Sequence, residues 1–114
     1  MRVYRVEHKL SGIGPYMHKW PYAQDLHADH AGDPKRPCPE DDLTLRMNYS
    51  HCYGFDSAEA LKAWFEGWLP VLHEHGFRMA VYKAEPAQRS RRGTGQVSFA
   101  KPTKSVKSMP LVKL

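Results

Sequence analysis

Histidine and cysteine are the residues of this sequence with the widest capacity for chemistry. His27 and His30 are three positions apart, Cys38 follows, and His51 stands next to Cys52. Imidazole and thiolate groups are the ligands that Zn²⁺ takes in tetrahedral sites, so these residues could assemble a zinc site. Their spacing matches no standard zinc finger, and the residues between them are rich in proline and aspartate. We therefore predict surface histidines, two thiols that form no disulfide, and no metal site.

A nucleophilic cysteine paired with histidine is the second chemistry that His51 and Cys52 suggest. Neighbouring residues of a strand point to opposite faces, so this imidazole is badly placed to deprotonate the adjacent thiol. The sequence contains neither a nucleophile elbow nor a glycine loop that cradles phosphate. Hydrolysis by this route is not expected.

Positive charge is concentrated in residues 83–114, which contain eight Lys/Arg and a single acidic residue, Glu85. Residues 1–82 contain nine Lys/Arg and eleven Asp/Glu. Guanidinium groups bind phosphate through a planar fork of donors, so the basic segment could follow a nucleic-acid backbone or meet an acidic protein surface. The residues concerned are Arg89, Arg91, Arg92, Lys101, Lys104 and Lys107. A solvated basic tail is the alternative interpretation.

A helix that begins near residue 56 is the clearest element available to position these groups. Asp56 or Ser57 can accept a hydrogen bond from the first helical turn, and Asp56 with Glu59 fits a capping box. Pro70 cannot continue a smooth helix and predicts a kink or restart, and Gly76 can end the helix. Apolar residues recur at steps of three and four and form one helical face: Leu61, Trp64, Phe65, Trp68, Leu69 and Leu72. Because the aromatic residues span more than one stripe, one tryptophan could instead support a homodimer.

Strand patterns flank this helix and complete an α+β domain. Alternating side chains predict strands at 2–8, 43–49, 77–82 and 96–100 and an edge strand at 104–109. A short helix is expected within 20–30, and three prolines make 32–40 a loop. We predict a single domain over 1–114 with a basic C-terminal segment 83–114, in which a small split antiparallel or mixed sheet packs against one main kinked helix.

The composition also bounds the location of the protein. No run of about 18 apolar residues exists, so no membrane-spanning helix is expected. The first residues alternate like a strand and lack the apolar core of a signal peptide. Together with the low cysteine content, these features predict a cytoplasmic protein with reduced thiols.

Five segments resemble, in order and spacing, small phage and prophage proteins with the ADP-ribosyltransferase-like fold. The segments are 3–8 (VYRVEH), 12–16 (GIGPY), 54–65 (GFDSAEALKAWF), 76–82 (GFRMAVY) and 95–99 (GQVSF). The resemblance implies NAD as cofactor, with Arg5 on the dinucleotide and Tyr16 or Tyr53 stacked on nicotinamide. His51 would orient the ribose, and Gln96 stands where the family has a catalytic glutamate. Gln96 lacks the negative charge that would stabilise an oxocarbenium-like transition state.

Two functions are therefore carried forward. The first is a phage domain that binds a nucleotide such as NAD or modifies a protein target. It requires strands 2–8 and 96–100 to lie side by side, with Arg5 and Gln96 in one hollow. The second is a non-catalytic inhibitor, similar to anti-CRISPR proteins, of a host nucleic-acid-handling or defence complex. It would bind the nucleoprotein partner through Arg89, Arg91, Arg92, Lys101 and Lys104.

Overall fold

A computed structural model describes residues 1–16, 22–43 and 51–114 of the protein, and an antiparallel sheet of six strands is its framework. The strands are β1 (Arg2–His8), β2 (Cys52–Phe55), β3 (Phe77–Lys83), β4 (Gln88–Arg89), β5 (Gln96–Phe99) and β6 (Lys107–Pro110). They lie in the order β4-β5-β2-β1-β3-β6, and every neighbouring pair is antiparallel. The helices are α1 (Ala23–His30), α2 (Pro39–Asp42), α3 (Ala58–Trp64) and α4 (Leu69–Glu74), and a 3₁₀ turn follows at Leu111–Lys113. Across these described ranges, no helix has the length and apolarity needed to cross a membrane.

Strand alternation gives the sheet two faces with different coverings. On one side, which we call the helical face, Val6 and Phe55 pack with buried residues of the helices. On the other side, which we call the opposite face, Val3, Tyr82 and Phe99 form a second and smaller cluster. By alternation, these five residues assign each position of β1, β2, β3 and β5 to a face.

The predicted helix is present but is broken in two. Ser57 is the N-cap of α3, and its hydroxyl accepts a hydrogen bond from the amide of Ala60 at 3.1 Å. The capping box predicted from Asp56 is wrong, because the helix begins one residue later. The helix stops before Pro70, which lies in the first turn of α4 and needs no hydrogen-bonded N–H there. Gly76, with φ of +88°, follows the end of α4 as predicted.

The α+β class predicted from the sequence is confirmed by this arrangement. The strands predicted at 2–8, 77–82 and 96–100 correspond to β1, β3 and β5, and the predicted edge strand corresponds to β6. α1 falls within the predicted helix at 20–30, of which residues 20 and 21 lie outside the described ranges.

Two segments between these elements differ from the prediction, and a third lies almost entirely outside the described residues. The proline-rich segment 32–40 is not all loop, because Pro39 begins the short helix α2. The basic turn after β3 contains the two-residue strand β4. The predicted strand at 43–49 lies outside the described residues except for Leu43, which is the extended C-cap of α2.

The prediction that β1 and β5 lie side by side is wrong, because β2 separates them. β2 pairs with β1 at Phe55 opposite Tyr4, and with β5 along its full length. The short sequence Cys52–Phe55 is interrupted by Gly54 and gives no clear strand pattern. Glycine is nevertheless required there, since a Cβ at position 54 would lie 2.8 Å from the Tyr4 carbonyl oxygen.

Candidate ligand cavity

A cavity of about 670 Å³ opens between the sheet and the proline-rich segment that precedes α2. Its described lining comes from the segment between β1 and α1, from α1 and α3, from β2 and the start of β5, from the basic turn and from residues 31–39: Tyr16, His30, Ala31, Gly32, Asp33, Pro34, Arg36, Pro37, Cys38, Pro39, Tyr53, Trp64, Arg92 and Gln96. Small-molecule sites usually occupy about 300–1,000 Å³. The cavity therefore has the size of a ligand site.

Three side chains in one wall are joined by hydrogen bonds. The Trp64 indole donates to the Tyr16 hydroxyl at 2.7 Å, and the Tyr16 hydroxyl lies 2.7 Å from His30 Nδ1. An indole N–H can only donate, so the Tyr16 hydroxyl oxygen accepts from it, and the direction of the second hydrogen bond, between the hydroxyl and His30 Nδ1, follows the imidazole tautomer. Burial raises the pKa of Tyr16, and the smaller effects of Trp64 and Arg36 do not offset it. Tyr16 is therefore a neutral bridge, and the wall is fixed before a ligand enters.

Arg36 holds the proline-rich segment against this wall. Its Nε donates to the Trp64 carbonyl oxygen at 2.6 Å, and its guanidinium forms an ion pair with Asp33. The Lys35 amide donates to the Asp33 carboxylate at 2.9 Å; this bond, with Arg36, lowers the pKa of Asp33 despite some desolvation. Hydrogen bonds and an ion pair therefore stabilise the segment from Asp33 to Arg36 internally, and the hydrogen bond to Trp64 joins it to α3.

A buried carboxylate lies behind the cavity lining and holds two of its residues, Gln96 and Arg92. Asp42 is fully buried at the end of α2. It accepts hydrogen bonds from the hydroxyls of Ser90 and Thr94 at 2.6 Å each, from the Gln96 amide at 3.0 Å and from the backbone N–H of Arg92 at 3.1 Å. Burial raises the pKa of Asp42, but these hydrogen bonds outweigh it, so the pKa lies below its usual value.

Asp42 also fixes the basic turn, which we call the basic loop and define as residues 88–95. Its backbone carbonyl accepts a hydrogen bond from the amide of Arg91 at 2.6 Å. The side chains of Arg89, Arg91 and Arg92 remain exposed on this loop. Within the described ranges, the Arg92 guanidinium makes no hydrogen bond or ion pair. The loop therefore offers cationic groups on a backbone that is already ordered.

The structure brings Tyr16, Tyr53 and Gln96 to this cavity, and it adds Arg92 from the basic loop. Gln96 is buried, and its amide also approaches the Pro37 carbonyl oxygen at 3.3 Å. His51 is half-buried before β2 and does not line the cavity. The roles of these residues toward a ligand remain predictions.

Arg5 does not converge with Gln96, and that expectation is wrong. Arg5 shares the opposite face with Val3, whereas Gln96 alternates with Val97 and lies on the helical face. The Arg5 guanidinium donates to the Tyr53 carbonyl oxygen at 2.8 Å, and its Nε lies 3.3 Å from the Glu7 carboxylate. Arg5 and Glu7 therefore form an ion pair on one face of the sheet.

The basic residues do not form one continuous surface. Arg89, Arg91 and Arg92 lie at the β4 edge, while Lys107 begins β6 at the other edge. Strands about 4.8 Å apart place these two edges roughly 24 Å from each other. Lys101 lies on the opposite face, 4.0 Å from the Glu7 carboxylate. Of the three described arginines of the basic loop, Arg92 lines the cavity, whereas Arg89 is in register with Val97 on the opposite face.

The possible zinc ligands are dispersed. Cys38 lies at the cavity rim with His30, whereas Cys52 packs against the smaller cluster on the opposite face. No disulfide joins these two described cysteines. Within the residues that the structure describes, no three His, Cys, Asp or Glu side chains come together as metal ligands.

Sequence reasoning did not single out Asp42, Arg36 or Trp64 as parts of a site. Asp42 lies in an acidic run that reads as a solvated turn, and its partners are 48 to 54 positions away. The available indication was the pair of hydroxyl residues on either side of Arg91 and Arg92, Ser90 and Thr94, since such hydroxyls commonly order a turn around an acceptor.

The fold and the cavity define a small α+β protein with a preformed ligand-sized site. The model of the bacteriophage T4 Y00F protein family matches residues 1–112, and the chain belongs to that family. No curated protein and no solved structure matches the chain. The expected relation to phage proteins is confirmed. No ADP-ribosyltransferase family matches, so that part of the resemblance is not supported.

Proposed function

We propose that this phage protein binds a nucleotide in the cavity. The observation that carries the proposal is the combination of aromatic side chains and arginines around one ligand-sized space. Aromatic rings bind the flat face of a base, and arginine binds phosphate through two parallel N–H donors.

Tyr53 is the ring that we assign to the base. Tyr53 belongs to β2, is half-buried and lines the cavity. Stacking of a base on an aromatic side chain is worth about 1–3 kcal/mol. The wall of Tyr16, Trp64 and His30 is hydrogen-bonded in the absence of a ligand, which lowers the ordering cost of binding.

Arg92 is the group that we assign to phosphate. Its side chain is exposed at the cavity rim, and the hydrogen bond from its backbone to Asp42 fixes where the side chain starts. Arg36 is already paired with Asp33, so we expect it to attract a phosphate more weakly than Arg92 does. This assignment replaces Arg5, which lies on the opposite face.

NAD and ADP-ribose are among the nucleotides that we propose. We expect binding without ADP-ribosyl transfer, because Gln96 is neutral and its amide donates to Asp42. A neutral amide cannot supply the negative charge that stabilises an oxocarbenium-like transition state. Release of nicotinamide from NAD by the purified protein would contradict this part of the proposal.

Calorimetric titration with AMP, ADP, ADP-ribose and NAD tests the proposal. Tyr53→Ala and Arg92→Ala should each weaken binding about tenfold or more, whereas Tyr53→Phe retains the ring and should bind normally. Arg2→Ala is the matched control, since Arg2 is also an exposed arginine but begins β1 and does not line the cavity. If the wild-type protein binds none of the four compounds, the proposal is wrong.

The exposed arginines of the basic loop favour a second candidate function, inhibition of a host nucleic-acid-handling or defence complex. Expression of the chain in a host with an active defence system should then raise the plaque count of a targeted phage. Arg91→Glu with Arg92→Glu should abolish that protection, and Tyr53→Ala should leave it intact. Loss of protection in Tyr53→Ala, with retained protection in the charge-reversed variant, would reject this candidate.

A further inference from the structure

We infer that the cavity selects a base that carries an exocyclic amino group, as adenine and cytosine do, and that the side-chain oxygen of Gln96 recognises that group. This inference rests on the proposed function, since it requires a nucleotide in the cavity. It adds the chemical class of the base, and it gives Gln96 a recognition role in place of the catalytic role that the sequence resemblance implied.

The orientation of the Gln96 amide is the first support. Its nitrogen Nε2 lies 3.0 Å from the Asp42 carboxylate and 3.3 Å from the Pro37 carbonyl oxygen. The lowered pKa of Asp42 keeps the carboxylate ionised at neutral pH. A carboxylate and a peptide carbonyl only accept hydrogen bonds, so the amide must turn its NH₂ group toward them. Both N–H groups of Gln96 are therefore engaged by the protein, and the position of its oxygen is determined.

The side-chain oxygen Oε1 of Gln96 is the atom that remains for a ligand. Among the described residues, none donates a hydrogen bond to it. It is also not one of the enclosed side-chain atoms that lack a partner, so it is in contact with open space. Only 4% of Gln96 is exposed and the residue lines the cavity, so we place that open space in the cavity.

A second acceptor lies beside this oxygen. The Pro37 carbonyl accepts one hydrogen bond from Gln96 and has a further lone pair, and Pro37 also lines the cavity. Gln96 and Pro37 thus form a corner of the cavity that presents oxygen atoms to a ligand. An amino group, with two N–H donors on one nitrogen, suits such a corner. A base carbonyl would lose its hydration there and face another oxygen, which leaves a buried acceptor unsatisfied.

Burial separates the end of the cavity that takes the base from the end that takes the phosphate. Gln96 is buried, whereas the side chain of Arg92, to which we assign the phosphate, is exposed at the rim. The Asp42 carboxylate accepts hydrogen bonds from the Gln96 side chain and from the Arg92 backbone. One buried carboxylate therefore positions both residues, and a nucleotide that enters with its base first contacts both.

Calorimetric titration of the wild-type protein with two matched pairs, AMP with IMP and CMP with UMP, tests the inference. In each pair a carbonyl oxygen replaces the amino group of the base. The amino member of at least one pair should bind at least tenfold more tightly than its carbonyl counterpart, because discrimination is the difference between the two affinities. The comparison of AMP with CMP identifies which of the two sources of the amino group is preferred.

Two substitutions separate recognition by Gln96 from its structural role. Gln96→Met removes the oxygen and retains the length of the side chain, so it should reduce the amino preference to within about threefold. Thr94→Val is the matched control, since Thr94 also donates to the Asp42 carboxylate, at 2.6 Å, but does not line the cavity. It should keep the wild-type preference. If Gln96→Met does not fold, Gln96→Asn replaces it, because the shorter side chain withdraws the oxygen and should also reduce the preference.

The outcomes separate this inference from the proposed function. If nucleotides bind but neither amino member is preferred tenfold, the inference fails and the nucleotide site remains. If Thr94→Val reduces the preference as much as the Gln96 variant does, the hydrogen bonds of Asp42 and not the Gln96 oxygen determine it, and the inference also fails. If none of the four nucleotides binds, both the inference and the proposed function are rejected.

Discussion

The carboxylate of Asp42 accepts a hydrogen bond from the hydroxyl of Ser90, 48 positions later in the chain, at 2.6 Å. This contact joins the end of α2 to the basic loop, which contributes Arg92 to the cavity lining. Several measurable consequences depend on it and on the hydrogen bonds of the facing wall.

Asp42→Ala should lower the free energy of unfolding by about 2–4 kcal/mol, because it leaves buried donors of Thr94 and Gln96 without their acceptor. Urea denaturation measures the change. Glu66→Ala, at an exposed acidic residue after α3, is the control and should change stability by less than about 0.5 kcal/mol. A loss below about 1 kcal/mol for Asp42→Ala would show that the hydrogen bonds are of little importance.

Acid should destabilise the protein partly through Asp42. The folded pKa of Asp42 lies below its unfolded value of about 3.9, so the folded state favours the ionised carboxylate. Its contribution is fully present above that unfolded value and is lost as the pH falls through the folded pKa. Asp33 and Glu85 also have lowered pKa values and contribute to the same slope. Asp42→Asn should therefore reduce the loss of stability below about pH 4 without removing it, and an unchanged slope would argue against this role.

Tyr16→Phe should cost about 1–3 kcal/mol of stability, because the Trp64 indole and the His30 imidazole both lose the bridging hydroxyl. Thermal unfolding followed by tryptophan fluorescence reports both the stability and the environment of the indole. Tyr4→Phe is the matched control, since no described residue makes a hydrogen bond with the Tyr4 hydroxyl. Equal effects of the two substitutions would mean that the bridge does not stabilise the wall.

Arg5→Ala should lower stability and leave nucleotide affinity within about threefold. The substitution removes the donor to the Tyr53 carbonyl and leaves the Glu7 carboxylate with less compensation, a loss of about 1–3 kcal/mol. Unfolding and calorimetric titration of the same preparation measure both quantities. A tenfold loss of affinity at unchanged stability would instead return Arg5 to the ligand site.

Local pattern predicted the elements that carry their own periodicity. The alternation of residues 2–8 gave β1 with its observed bounds, and Gly76 marked the transition from α4 to β3. The helix cap was displaced by one residue because Asp56 and Ser57 have similar capping propensities. β2 was not predicted, since four residues with an internal glycine are too few for a period to emerge.

The order of the strands in the sheet could not be predicted from the sequence. The location of Arg5 relative to the cavity depends on that order, so it could not be predicted either. Which strand pairs with which depends on contacts between distant segments, and a shift of one position reverses the face of every side chain. Tyr16, Tyr53 and Gln96 come from three separate segments and reach one cavity through that tertiary arrangement. Asp42 and its partners are equally distant in sequence, so no local pattern marks the residue that orders the basic loop.

The narrow pairing between β1 and β2 has a mechanical consequence. Those strands meet at the single position Tyr4–Phe55, whereas β1 and β3 are paired from Arg2–Lys83 to His8–Phe77. The sheet therefore has a seam, with the cavity-bearing strands β2, β4 and β5 on one side and β1, β3 and β6 on the other. Local opening follows the least supported hydrogen bonds. Amide protons along this seam should exchange with solvent before those of the β1–β3 ladder.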